Sequence, residues 1–559
     1  MKLCKRFTCV ALAVLIVIGA AACGNGTAEQ SADQPSASTS ASAAVSDGGS
    51  SEAAAPVADG EWQPTHDYSE RLKITTSNVG VVEGHDFTSG DGLAQFYSDK
   101  FNIDLEVAAT TYDNWDERMR VWINSGDMPD TAVINYKHVD FSSYVEQGLV
   151  KRFPDDWKER WPNLAKAFSV STLGPKMEEV FDGTYFHARP RFSENLPGDP
   201  LPNHQSIFLR KDWAEAVGFP VKTAYTIPEI MEYLQLIQDQ DPGKLGEKLI
   251  PLAGNPAYSA RMFVYSNSAH YDNFYKDTDG VYKWGPASDD TLEGLKIFKE
   301  AYDKKLLNPE FYTYKIDQDI EQVTIQAVAG ACYTSATTGG IRSYFIRDFE
   351  GNNEGLKADD CMHVATLLGV DGNYHQEDLI NFWGVVAFNP DIDDAKFERY
   401  MDILDFNATP KGLAILNLGL EGEDWVLENG EYKSMLPEGT TIGGKTGKYP
   451  SQGYTLGASI LFDDFAFSNP NIPKHIREMS RQLYAERCEI ATPETFTKVD
   501  WDLYCYDSPS KRKVAFDYGT EYSSLVTMDG DIEANWRAWV DAKMAMVQPV
   551  LDELNALGQ

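Results

Sequence analysis

Two hydrophobic periods alternate along the chain from residue 72 onward. "LKITTSN" (72–78) places Leu72, Ile74 and Thr76 on one side of an extended segment, and "IDLEVA" (103–108) repeats the pattern with Ile103, Leu105 and Val107. Between them "GLAQFYSDKF" reads as a helix. Trp115, Met119 and Trp122 then fall at helical spacing behind Asp113 and Asp116, which imitate a capping box. Gly126 supplies the stop, and "TAVIN" predicts a third strand. Strand, helix, strand, helix, strand is the order of a parallel α/β sheet. Ligands of such sheets gather beyond the carboxyl ends of the strands, so the positions to watch are Asn78 and Val79, Thr110, and Asn135 with Tyr136.

A second block begins near residue 205. "SIFLR" predicts a strand and "KDWAEAVGF" a short helix. "TIPEIMEYLQLIQDQDPGK" predicts a long helix with Thr226 as cap, Glu229 three residues later, an apolar face of Ile230, Leu234 and Ile237, and a stop at Asp241-Pro242. "KLIPLAG" follows as a strand, and "DDTLEGLKIFKEAYDKKLLNP" sets Leu292, Leu295, Phe298 and Tyr302 at helical spacing. This block is again α/β. No short fixed period recurs, so neither a solenoid nor a propeller is expected.

Length and charge narrow the function. A chain of 559 residues exceeds what one core sustains, so two or more packed units are expected. With 85 acidic against 49 basic side chains, the surface repels nucleic acid and anionic lipid. The amino terminus is the exception. Lys2, Lys5 and Arg6 precede an apolar run from Val10 to Ile18 and then "GAAACGN", the three regions of an export signal, in a run too short to span a bilayer. The segment resembles a bacterial lipoprotein signal covering residues 1–22. The resemblance implies cleavage before Cys23 and its acylation with palmitate-type chains, which would anchor the protein to the outer face of the cell membrane. Loss of that signal would move the net charge from −36 to −39. Residues 23–62, rich in Ser, Ala, Gly, Asp and Glu, bury too little to fold and read as a flexible stalk. Cys332, Cys361, Cys488 and Cys505 remain as free thiols or disulfides. No spacing of Cys or His predicts a metal site, and no cofactor is expected.

The ordered set "NSGDMPDTAVI", "VFDGTYFHARP", "IFLRKDWAEAVGFPVKTAYTIPEIMEYL", "DGVYKWGPASDDTLEGLKIFKEAYDKKLLNPE", "AVAGACYTS", "FWGVVAFNP" and "ATPKGLAILNLGLEGEDW" resembles the extracellular solute-binding proteins of ABC importers, more narrowly the sugar-binding family 1 group with lipoprotein members. The resemblance implies a two-lobed, periplasmic-binding-protein-like type II fold with a hinge and an interlobe ligand cleft. Three crossings are expected: after "DGTYFHARP", near "GACYTS" and near "FWGVVAF". Residues 66–188 plus 336–382 would form the amino-terminal lobe, and 189–335 plus 383–559 the carboxy-terminal one. It further implies a monomeric, non-enzymatic binder that delivers a carbohydrate, an oligosaccharide above all, to membrane permease subunits.

A sugar offers C–H faces that stack on aromatic rings and hydroxyls that need paired donors and acceptors. The candidate ligand contacts are therefore Asn78, Asn135, Tyr136, Tyr185, Tyr333, Trp383 and Trp425, with polar help from His85, Asp86 and Arg189. Each has a structural alternative: Asn78 as a turn residue, Tyr185 as a hinge cover, Trp383 as core beside Gly384. Trp115, Trp122, Trp536 and Trp539 read as core. A peptide or other small-solute binder is the nearest rival. A secreted glycoside hydrolase would need a carboxylate pair, for which Asp463-Asp464 and "LEGED" are the best acid clusters. "YKDTDG" (275–280) reads as a hairpin turn rather than a calcium loop.

Overall fold

The computed structural model describes residues 62–79, 91–111, 114–135, 140–193, 204–377, 381–437, 440–443, 447–452, 463–492 and 495–557. Cys23, His85, Asp86, Asp113 and Tyr136 lie outside them.

The first strands form where the alternation predicts them. β1 (Leu72–Ser77) buries Leu72, Ile74 and Thr76, and β2 (Ile103–Val107) runs parallel to it from the register Leu72–Ile103. The helix Trp115–Ser125 buries Trp115, Met119 and Ile123, while Trp122 is half-buried beneath the Arg118 guanidinium, 4.6 Å from its ring. Gly126, at φ 78°, turns the chain in the left-handed conformation that glycine adopts without strain. β3 (Thr131–Ile134) then pairs parallel with β1. After a run of helices the chain makes β4 (His187–Ala188) and leaves this sheet.

The second sheet follows in β5 (Gln205–Arg210), β6 (Ala224–Thr226) and β7 (Ile250–Ala253). Thr226 and Glu229 form the expected capping box of helix Ile227–Gln240, which buries Ile230, Leu234 and Ile237. β8 (Phe274–Lys276) and β9 (Tyr282–Trp284) are the hairpin around "DTDG", with Lys283 paired to both Asp277 and Asp279. β10 (Ala329–Ser335) and β11 (Met362–Leu368) complete the sheet. Beyond the short β12 (Gln376–Glu377), β13 (Val385–Phe388) returns to the first sheet. β14 (Trp425–Glu428) and β15 (Glu431–Ser434) form a second hairpin, and β16 (Phe496–Thr497) pairs with β12.

The sheet orders are β2-β1-β3-β13-β4 and β6-β11-β5-β10-β7. Each holds one antiparallel strand, and in each it is the first strand made after a crossing: β13 in one, β5 in the other. The first sheet is built into one apolar core. The second is covered on both faces: Ile207, Leu209, Ala331 and Tyr333 enter one core, and Phe208, Ala329 and Cys332 enter the other. This two-sided burial explains why its strands read as continuous apolar runs.

The strand pairing redraws the expected lobe boundaries. β11 lies within 336–382 yet pairs with β5 in the second sheet, and β13 lies within 383–559 yet pairs with β3 and β4 in the first. The crossings after "DGTYFHARP" and around "FWGVVAF" are present. The one expected near "GACYTS" is not, because β10 runs inside the second sheet and the next strand stays there. The third passage instead falls at Phe465 and Ala466, the former packed in the first core and the latter in a core of the second lobe.

Residues 62–71 join the first lobe through two carboxylates. Asp402 accepts from Thr65, Tyr68 and Trp161, and Asp405 accepts from Trp62, Asn163 and the Leu164 N–H. Cys332, Cys361, Cys488 and Cys505 are free thiols.

Candidate functional site

The strand directions locate the site. β1, β2, β3 and β4 run the same way, so their carboxyl ends share one edge, and the first crossing leaves from Ala188 at that edge. It enters β5 at Gln205, which pairs with Ser335 at the carboxyl end of β10. The second crossing leaves the carboxyl end of β11 and enters β13 at Val385, which faces Ile134 and Ala188. The carboxyl edges of both sheets therefore meet at the crossings, where α/β sheets hold ligands.

On the first lobe's edge, Trp383, Arg189, Trp115 and Gly384 come together. The Trp383 N–H donates to Arg189 O at 3.0 Å, and the Arg189 N–H donates to Gly384 O at 3.1 Å. The Arg189 guanidinium sits 5.3 Å from the Trp383 ring, and the Trp115 ring centroid is 5.3 Å from the same ring, the two indoles tilted by 44°. Gly384, at φ 73°, admits this approach, since a Cβ there would meet Val133 at 2.9 Å. Trp383 is half-buried against the first core, and the part that stays exposed can meet the C–H face of a sugar. Asn135 is half-buried at the end of β3. Asn78 is buried at the end of β1, and its Oδ1 accepts from the Val79 N–H at 2.9 Å.

Two aromatic candidates lie elsewhere. His187 pairs with Val386 and Ala188 with Val385, so Tyr185 is level with the far end of β13, away from the crossings, and packs on the first core. Trp425 is buried in that core, its Nε1–H donating to Gly419 O at 2.8 Å and its ring 5.4 Å from Tyr432. Tyr333 lies two residues before the end of β10 and is buried in the second lobe, with its hydroxyl pushed up to about 12 by burial against the opposing pull of Arg261 and Arg487.

The second lobe contributes polar groups that the sequence did not single out. Arg191 Nη1 stands 3.4 Å from His204 Nδ1, and Arg487, from helix Lys474–Ile490, donates to Ser206 Oγ. Burial, then the charges of Arg191, Arg487 and Arg261, hold His204 well below the usual imidazole range, so it is neutral near pH 7. Neutral imidazole and guanidinium groups supply the donors and acceptors that hydroxyl-rich ligands need. Arg487 sits 281 residues from Ser206, and no local pattern announces the pairing.

The acid clusters are structurally engaged. Asp464 accepts from Ser193 N–H at 3.1 Å and Ser193 Oγ at 2.6 Å, tying the third passage to the first crossing. Asp424 is fully buried and accepts from Lys448, the Tyr449 hydroxyl and the Leu420 N–H. Among the described residues, no group of His, Cys, Asp and Glu could hold a metal ion, and no helix is long and apolar enough to cross a membrane. A groove of about 620 Å³ runs beside β1 from its amino end, lined by Glu70, Lys73, Glu106 and Lys396.

No protein-family model matches the chain, and no curated protein matches it by sequence. Solved structures do. The alginate-binding protein AlgQ2, crystallised without calcium ion, superposes with a TM-score of 0.62 at 16% identity, covering 88% of this chain and 98% of its own. The S. pneumoniae ABC-transporter substrate-binding protein FusA, in complex with kestose, gives 0.59 at 17% identity, covering 87% and 99%. An extracellular solute-binding protein from Bifidobacterium longum subsp. infantis gives 0.58 at 15%, covering 86% and 97%. With two sheets joined by three passages and neighbours of this kind along most of its length, the chain has the two-lobed α/β fold of ABC-transporter solute-binding proteins.

Proposed function

We infer that this protein is the substrate-binding component of an ABC importer, capturing an oligosaccharide between its lobes and handing it to membrane permease subunits. The observation that carries this reading is the half-open Trp383 ring, held by Arg189 and Trp115 where both sheet edges converge. The ligands of the structural neighbours support the same class: alginate for AlgQ2, kestose for FusA, and Man5GlcNAc for the N-glycan transport protein NgtS of S. pneumoniae. The task is binding without catalysis. Asp464 and Asp424, from the two clusters offered as a hydrolase pair, both serve the scaffold. Sugar binds better when the lobes close around it, so ligand shifts the lobes toward the closed arrangement.

The amino-terminal residues complete the reading. A signal at 1–22, acylation of Cys23 and a stalk ending before Trp62, which is already anchored on Asp405, would hold a monomeric binder outside the cell membrane, within reach of its permeases. Calorimetry and thermal shift against fructan, alginate, milk-type and N-glycan oligosaccharides test the function. Binding of at least one, with a rise in melting temperature, is expected. Heatless titrations across the panel, or release of reducing ends, overturn it.

A further inference from the structure

The lobes also touch away from the crossings. Residues 499–516 ride on the second lobe: Glu553 of the carboxy-terminal helix Ile532–Leu557 accepts from Tyr506, Ser508 and Ser510 at 2.9, 2.6 and 2.6 Å. Asp500 accepts from the Tyr282 hydroxyl at 3.1 Å, and Leu503, Val514 and Phe516 pack with β8, β9 and that helix. The same segment reaches the other lobe. Trp501 and Tyr504 pack on the first core, and Arg512 Nε stands 3.6 Å from Asp140 Oδ1. Asp140 follows β3 on its carboxyl side and also accepts from Arg120 Nε at 2.7 Å, and Arg512 is held by Asp507. Arg120, Asp140 and Arg512 line a groove of about 400 Å³ together with Tyr144 of the first lobe and Ala515 of the segment.

We propose that residues 499–516 are a strap that docks on the first lobe when the lobes close, with Asp140 and Arg512 as the positioning pair that sets the closed population. The reason is geometric. Asp140 lies on the edge at which the two sheets face each other, so the gap between it and a strap fixed to the other lobe shortens as the lobes approach. The contact is an ion pair with an aromatic footing, Trp501 and Tyr504, whose burial on the first core depends on the same approach. Asp140 and Arg512 are held by Arg120 and Asp507, whereas the proposed sugar platform is built from Trp383, Arg189 and Trp115. Their effect on affinity runs through the share of molecules already closed. The inference rests on the sugar-capture reading only for that effect on affinity.

The test is made on the full mature chain, with dyes attached by non-cysteine chemistry at exposed Leu427 of the first lobe and Tyr312 of the second. In ligand-free protein, Arg512→Gln and Asp140→Asn should each raise the ratio of long to short dye distances about two- to five-fold, the range of a part-exposed ion pair. The double variant should add nothing to either, and ~0.5 M NaCl should move the wild type toward Arg512→Gln. Circular dichroism checks that each variant is folded. Unchanged distances in both single variants at low salt, or effects that add in the double variant, overturn the strap. A failed oligosaccharide panel would sink the sugar reading while leaving this ligand-free measurement decisive.

Discussion

Asn381, in the second crossing, grips the backbone of Phe192 in the first: its Oδ1 accepts from the Phe192 N–H at 2.8 Å, and its Nδ2 donates to Phe192 O at 3.1 Å. The same Nδ2 reaches Val170 O at 3.3 Å. Both residues are buried, and Asn381 sits at φ 48°, a conformation that Asn tolerates better than most residues. Two crossings are thus held as one unit, and Asp464 adds the third through Ser193.

Asn381→Ala should therefore leave a buried donor and acceptor of Phe192 unpaired and cost about 1–3 kcal/mol of folding stability. Urea denaturation followed by tryptophan fluorescence measures it. A loss within experimental error would show that the clamp is dispensable.

Trp383 and Trp425 separate binding from stability. Trp383→Ala should weaken oligosaccharide binding by about tenfold, the size of one lost stacking contact, with little change in melting temperature. Trp425→Ala should cost about 3–5 kcal/mol of stability, because the ring is buried and its N–H is satisfied by Gly419. The protein that stays folded should bind as before. Titration calorimetry and differential scanning calorimetry on both variants distinguish the two roles.

Asp319 gives a pH signature. Burial first, then the charge of Asp317, pushes its carboxyl up to about 7, while Asn255 Nδ2 and Cys332 Sγ both donate to its Oδ2. Unfolded, it titrates near the ordinary 3.8. Between these values the folded chain keeps a proton that the unfolded chain has released. The stability due to this group is full below about pH 3.8 and is lost as pH rises through about 7. Asp319→Asn should thus be more stable than wild type at pH 8, by on the order of 1–3 kcal/mol, and lose that advantage at pH 4. Equal stability differences at both pH values would contradict it.

The thiols are checked by reduction. With Cys332, Cys361, Cys488 and Cys505 free, a form beginning after Cys23 should titrate four thiols once denatured, and reductant should leave its melting temperature unchanged. A native disulfide would instead cost about 2–5 kcal/mol on reduction.

Local order was legible in the sequence because its causes are local. The capping box of Thr226 and Glu229, the left-handed stop at Gly126, the alternation of β1 and the hairpin around Asp277 each depend on residues a few positions apart. So did two of the crossings, where a strand-like run ends in a small or aromatic residue.

Which strand joins which sheet was decided only by tertiary structure. β11 and β13 are both short apolar runs buried on both faces, and nothing in their own residues says which partner they take. Register then decided the fate of the aromatics. A shift of a few residues along β4 carries Tyr185 away from the crossings while Arg189 meets Trp383 there, and the packing around Gly419 draws Trp425 inside. The sequence alone determined periodicities, caps and turns, since these follow from backbone sterics and nearest neighbours. The site required the fold, since Trp115, Arg189 and Trp383, like Ser206 and Arg487, meet only when distant segments have paired.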